Sequence, residues 1–192
     1  MKVCIDPGHG GKEHPGAVYY GRKEKDAALA ISHRLAMELK AKGVDVVLTR
    51  TRDADVSLAE RCRISNAAKA DLFISIHLNA AVDPTIHGAE VWKWHTSDNP
   101  FAERVQAALV TATGFKDRGV KNSHEFYVLR HTLCPALVVE CGFMSNPKEG
   151  EALFDPRVQD AIAACLAKPF DYFSYIILQQ KRRKPCQSKK VV

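Results

Sequence analysis

Three short apolar runs restrict the fold more than anything else in this chain. Val3–Ile5, Asp71–His77 (DLFISIH) and Ala136–Gly142 (ALVVECG) are almost continuously hydrophobic and rich in β-branched residues. A strand with one face in water alternates apolar and polar residues. Runs without that alternation belong to strands covered on both faces, as in a parallel sheet flanked by helices. Each run also ends on chemistry. Val3–Ile5 leads into Asp6, Pro7, Gly8, His9, Gly10 and Gly11, and the proline and glycines cannot continue a strand, so His9 is expected on a loop at a strand tip. Asp71–His77 ends on a histidine, and Ala136–Gly142 carries Glu140 near its end.

The segments between these runs have helical spacing. Ala28, Ile31, Leu35 and Leu39 form one face of a helix from Glu24 to Lys42, stopped by Gly43, and Val44–Thr49 follows as a buried strand. Ser57 and Glu60 read as a capping box, the serine taking the Glu60 amide and the glutamate reaching back, and open a helix to about Lys69. Further along, Gly88–Trp94 reads as a strand, Pro100–Thr113 as a helix, Glu125–Arg130 as a strand and Pro156–Phe173 as a last amphipathic helix. Strands alternating with helices of this length give an α/β fold: one domain with a twisted, mostly parallel sheet and helices on both faces.

That domain is expected over residues 1–175, with a basic tail or linker stub over 176–192. At 192 residues, 46% hydrophobic and 26% charged, the chain has material for one good core. The net charge is +6, but six of the 28 Lys and Arg lie between Lys181 and Lys190, which leaves the remainder near neutrality against 22 acids. The basic character belongs to an appendage, with no nucleic-acid motif beside it, so a nucleic-acid partner is not expected. A monomer is. No apolar run approaches the roughly 20 residues of a membrane span, and the N-terminus shows no charged region followed by an apolar one. Six cysteines are scattered through apolar segments, which fits reduced, packed thiols and a reducing compartment of synthesis.

His9, His77 and Glu140 stand at strand ends, and Glu24 at the start of the first helix. Singly each has a plain structural reading: an acid in a first turn favours the helix dipole, and a histidine satisfies a buried hydrogen bond. Together they would meet in one cleft, because a parallel sheet gathers its loops at the carboxyl edge. Two histidines and a carboxylate are a known set for catalytic zinc, with a fourth position left for water, and Glu140 would remain for proton transfer. The spacing is long-range and contains no HExxH, so residue types alone leave both readings open.

The segments IDPGHGG, EKDAALAI, VVLTR, SLAERCRISN, ADLFISIHLNA, RGVK and PALVVECGFMSNPKE, in that order over residues 2 to about 173, make the chain resemble the zinc-dependent N-acetylmuramoyl-L-alanine amidases of bacterial autolysins and phage endolysins. The resemblance implies that His9, Glu24 and His77 bind Zn²⁺ and that Glu140 is the catalytic acid/base. It also implies peptidoglycan as substrate, cut between the lactyl group of N-acetylmuramic acid and L-alanine. Leu78 and Cys141 are small departures from the family pattern. Asp6 is expected to orient His9 through its second ring nitrogen. Asn79 would face the same side as His77 and bind substrate or the oxyanion, and Arg118 would meet a stem-peptide carboxylate or form an ion pair. Other zinc hydrolases of the wall, peptidase or deacetylase, and a non-catalytic wall-binding module are the alternatives. The absence of an export signal fits synthesis in the cytoplasm and action on the anionic cell wall, either after release as an endolysin or after export of a longer chain.

Overall fold

A computed structural model describes residues 1–94 and 100–172. The expected tail from residue 176, with Cys186, lies outside the described residues. In chain order the elements are β1 (Lys2–Pro7), β2 (Val18–Tyr19), β3 (Arg22–Lys23), α1 (Glu24–Ala41), β4 (Asp45–Leu48), α2 (Leu58–Ala67), β5 (Leu72–Asn79), β6 (Ala89–Trp94), α3 (Pro100–Thr113), β7 (Asp117–Ser123), α4 (Tyr127–His131), β8 (Ala136–Phe143), α5 (Pro147–Ala152) and α6 (Pro156–Ala167). Six strands form one sheet in the order β4-β1-β5-β8-β6-β7, and β2–β3 is a small separate hairpin. Every pairing in the large sheet is parallel except β6 with β8.

The unalternating runs occupy the middle of this sheet, as full burial requires. Because side chains alternate along a strand, Val3, Ile5, Ile74, Ile76, Leu137 and Val139 face one way. They pack under α1, α3 and α6, where the predicted stripe of Ala28, Ile31, Leu35 and Leu39 is buried. The intervening residues Cys4, Phe73 and Val138 face the other way, against Cys62 of α2 and Val128 and Leu129 of α4. Helices thus cover both faces. The five described cysteines are free thiols, and no helix of the described residues is long and apolar enough to cross a membrane.

Two local expectations are corrected, and one strand was not expected. Glu125–Arg130 is not a strand: Phe126 is extended and then Tyr127–His131 coils into α4, which packs adjacent Val128 and Leu129 into one cluster on the same face of the sheet. The outer strand is instead Asp117–Ser123, a polar segment suited to a sheet edge. At Ser57 only half of the capping box forms. Its hydroxyl accepts the Glu60 amide at 3.2 Å, while the Glu60 carboxylate pairs with Arg63 at 2.6 Å.

Candidate metal centre and active site

Three neighbouring parallel strands bring the predicted residues to one edge. On the α2/α4 face, Asp6 of β1 lies beside Ser75 of β5, and two residues further along His77 lies beside Glu140 of β8. β1 stops at Pro7, and the amide of Gly8 still reaches the Ile76 carbonyl at 2.9 Å. His9 follows in the left-handed region with φ 57°, a conformation uncommon outside glycine that carries its ring back over the strand ends. The loop is held there by two buried guanidiniums. Arg50 donates to the carbonyls of Pro7 and Gly8, and Arg61 to those of Pro7 and His9.

Glu24 opens α1 directly behind the β2–β3 hairpin and points into the same place. One carboxylate oxygen takes the Leu78 amide at 3.0 Å and lies 2.9 Å from His77 Nδ1, while the other takes the Ala17 amide at 2.9 Å and lies 3.1 Å from His9 Nε2. Two backbone donors therefore fix the carboxylate, and both imidazoles converge on it. Burial by itself would raise the pKa of Glu24, but hydrogen bonds from His77 and His9 outweigh it and hold this carboxyl well below the usual range. Burial likewise opposes charge on His77, yet Glu24 and Glu140 pull its proton affinity up.

The donor set fits a metal ion. Ligand atoms of His9, Glu24 and His77 all lie within 4.8 Å of one another, and two imidazoles with one carboxylate are a donor set that zinc takes. Two glycines keep this space open. A Cβ on Gly8 would lie 2.6 Å from both ring nitrogens of His77, and one on Gly16 would lie 2.6 Å from a Glu24 oxygen and 2.7 Å from the His9 ring.

Glu140 stands beside this trio with a different environment. Its Oε2 is buried without a hydrogen-bond partner among the described residues, and burial, with Glu24 and Glu90 nearby, pushes its pKa up to about 7. Directly opposite Glu140 on the antiparallel neighbour lies Glu90, which is fully engaged: Asn79 and Trp92 donate to one oxygen at 3.0 Å each, Arg118 and Lys121 to the other at 2.7 and 2.6 Å.

These partners correct one expectation and show what engages two other side chains. Asp6 does not orient His9: its oxygens take the hydroxyls of Thr49 and Ser75 and Arg61 Nη1, so it acts on the histidine loop through Arg61. Asn79 lies on the same side of β5 as His77 and is engaged there: its amide donates to Glu90, directly opposite Glu140, and its oxygen takes the Ala80 amide. Arg118 forms an ion pair with buried Glu90. Arg61 and Glu90 escaped the sequence reading, although a glutamate inside the strand-like AEVW was a legible signal.

Below the trio, on the same face, lies a cavity of about 710 Å³ between α2 and α4, bordered by His9, His77 and Ser75, the apolar Val56 and Tyr127, and the exposed acid Glu125. A concave, largely apolar space touching a cluster of convergent polar groups is the expected form of a substrate site.

A family model described as N-acetylmuramoyl-L-alanine amidase matches residues 3–169. The chain is 35% identical to the uncharacterized protein YqiI of Bacillus subtilis, over 89% of this chain and 84% of that one. It is also 35% identical to the N-acetylmuramoyl-L-alanine amidase LytC of the same organism, over 85% of this chain but 34% of LytC. The catalytic domain of the amidase CwlV from Bacillus (Paenibacillus) polymyxa var. colistinus superposes with a TM-score of 0.86 at 32% identity, covering 91% of this chain and 98% of that one.

Proposed function

The chain belongs to the N-acetylmuramoyl-L-alanine amidase family, and from that premise we propose that it hydrolyses the amide between the lactyl group of N-acetylmuramic acid and the L-alanine of the stem peptide, with His9, Glu24 and His77 as zinc ligands. The observation that carries the reading is the pairing of a three-ligand cluster with an unengaged buried carboxylate at its side. A closed structural metal site takes four protein ligands and has no use for such a group, whereas a catalytic site leaves a position open. Zinc, when bound, supplies a Lewis acid that polarises the scissile carbonyl and acidifies water.

The chain's own residues do the rest. Glu140 accepts the proton of the attacking water on its free oxygen and returns it to the departing amine of L-alanine. Glu24 keeps its charge at all ordinary pH, since both histidines and two backbone amides favour the carboxylate. The Asp6–Arg61 pair fixes the His9 loop, so that the ligand atoms are in place before an ion arrives. The cavity between α2 and α4 offers Tyr127 and apolar walls to neutral sugar. This chemistry is that of a wall-cutting enzyme, autolysin or endolysin.

Digestion of purified peptidoglycan is the direct test. New N-terminal alanine should appear, vanish on chelation and return with Zn²⁺. Release of another amino terminus or of acetate would favour a peptidase or deacetylase, and no release at all a wall-binding module. A second expected outcome concerns the cradle. Gly8→Ala drives a methyl into the His77 ring, so zinc affinity measured by calorimetry should fall by about 10–100-fold, the usual cost of disturbing what orients a ligand. Unchanged affinity would mean that His77 is not a ligand.

A further inference from the structure

The network around Glu90 has more charge than burial of one carboxylate requires. Glu90 is 2% exposed, and two cations, Arg118 and Lys121, share a single oxygen of it. Their stems are packed: the guanidinium of Arg118 lies 4.9 Å from the Phe143 ring centroid and the ammonium of Lys121 5.0 Å from that of Trp92. Their heads remain open to solvent, the side chains being 26% and 32% exposed. Glu90 neutralises one of the two, and the cluster presents one surplus positive charge with donors to spare, since an ammonium has three and a guanidinium five. A second carboxylate arriving there would complete a set of two cations and two anions.

The place of the cluster says which carboxylate. Glu140 pairs with Glu90 across β8 and β6, and β7 is the next strand out. At 4.7–4.9 Å per strand, Lys121 is rooted roughly 10 Å from the strand of Glu140. An extended peptide advances about 3.4 Å per residue, so groups on the first two or three residues beyond the scissile bond come within reach of these side chains. In the substrate proposed above, the carboxyl group of muramic acid is consumed in the scissile amide itself, and the sugars are neutral. The free carboxylates therefore lie on the peptide side.

We propose that Arg118 and Lys121, positioned by Glu90, bind the free carboxylate of the second stem-peptide residue and so draw the leaving peptide across β6 and β7, while the glycan takes the cavity between α2 and α4. This rests on the amidase reading. Glu90 is a positioning residue here, and the two cations touch substrate.

The test uses the zinc-loaded full chain and two soluble muramoyl tripeptides that differ in one group, the carboxyl of the second residue being either free or a primary amide. The wild type should show a KM about tenfold lower for the free acid, the discrimination expected when a charge-assisted contact is lost. Lys121→Met, which keeps the packed stem on Trp92, should bring that ratio close to one, and Lys121→Arg should restore it. Equal KM values in the wild type, or a Lys121→Met variant that weakens both substrates alike, would overturn the proposal and leave a purely structural network. Failure to cleave either substrate between muramic acid and alanine removes the amidase reading and the inference with it.

Discussion

Replacing Glu140 with Gln should lower kcat on a soluble muropeptide by about 10²- to 10⁴-fold, the range attributed to a positioned general acid/base, while zinc stays bound. The substitution preserves shape and leaves His9, Glu24 and His77 in place. It removes a single property, the capacity to accept and return a proton. Its effect on stability separates it from ordinary damage. Oε2 of Glu140 has no hydrogen-bond partner among the described residues to lose, and burial beside Glu24 and Glu90 disfavours its charge, so the neutral amide should leave the thermal midpoint of the metal-free protein unchanged or higher. Activity lost with zinc stoichiometry and midpoint retained assigns proton transfer to Glu140. A variant that turns over normally, or one that has lost its zinc, would sink that assignment.

The fold was legible because it rests on burial, and burial writes itself into local sequence. The two-sided strands at Val3–Ile5, Asp71–His77 and Ala136–Gly142 could only sit at the centre of a covered sheet, and the stripe Ala28, Ile31, Leu35, Leu39 could only be a helix laid on it. With that topology fixed, His9, His77 and Glu140 share one edge, where parallel strands end, and Glu24 joins them from the start of α1. What was illegible was whatever depends on register and on long side chains. His77 and Asn79 share a strand face as the sequence suggests, but nothing local shows that Asn79 meets Glu90 of β6, two strands away. Glu125–Arg130 has the composition of a strand, and only the packing of Val128 and Leu129 against α2 and β8 makes it a helical turn. Asp6 was singled out as an acid beside His9, yet its partner lies 55 residues away in α2. No local pattern announces a guanidinium that reaches so far.

That distant guanidinium should be the costliest buried residue to remove. Arg61 is 4% exposed and donates to Asp6 and to the carbonyls of Pro7 and His9, each at 2.7 Å, and to that of Val56 at 3.0 Å. Arg61→Met keeps much of the volume but leaves the Asp6 carboxylate, 1% exposed, with only the hydroxyls of Thr49 and Ser75. Breaking a buried pair in this way costs about 3–5 kcal/mol, to be read from denaturant unfolding of the metal-free protein. The His9 carbonyl is released at the same time, so zinc affinity should fall too, although Arg61 touches no ligand atom. Arg61→Lys should not rescue, because one ammonium cannot span four acceptors arranged for a planar fork. A double-mutant cycle with Asp6→Asn separates the two routes. If the stability loss comes from the orphaned charge, the double variant should be less destabilised than the sum of the singles by about 1–3 kcal/mol. If the losses simply add, Asp6 and Arg61 act independently and the loop carbonyls alone account for the cost, which would make the guanidinium, and not the ion pair, the element that holds His9 over the strand ends.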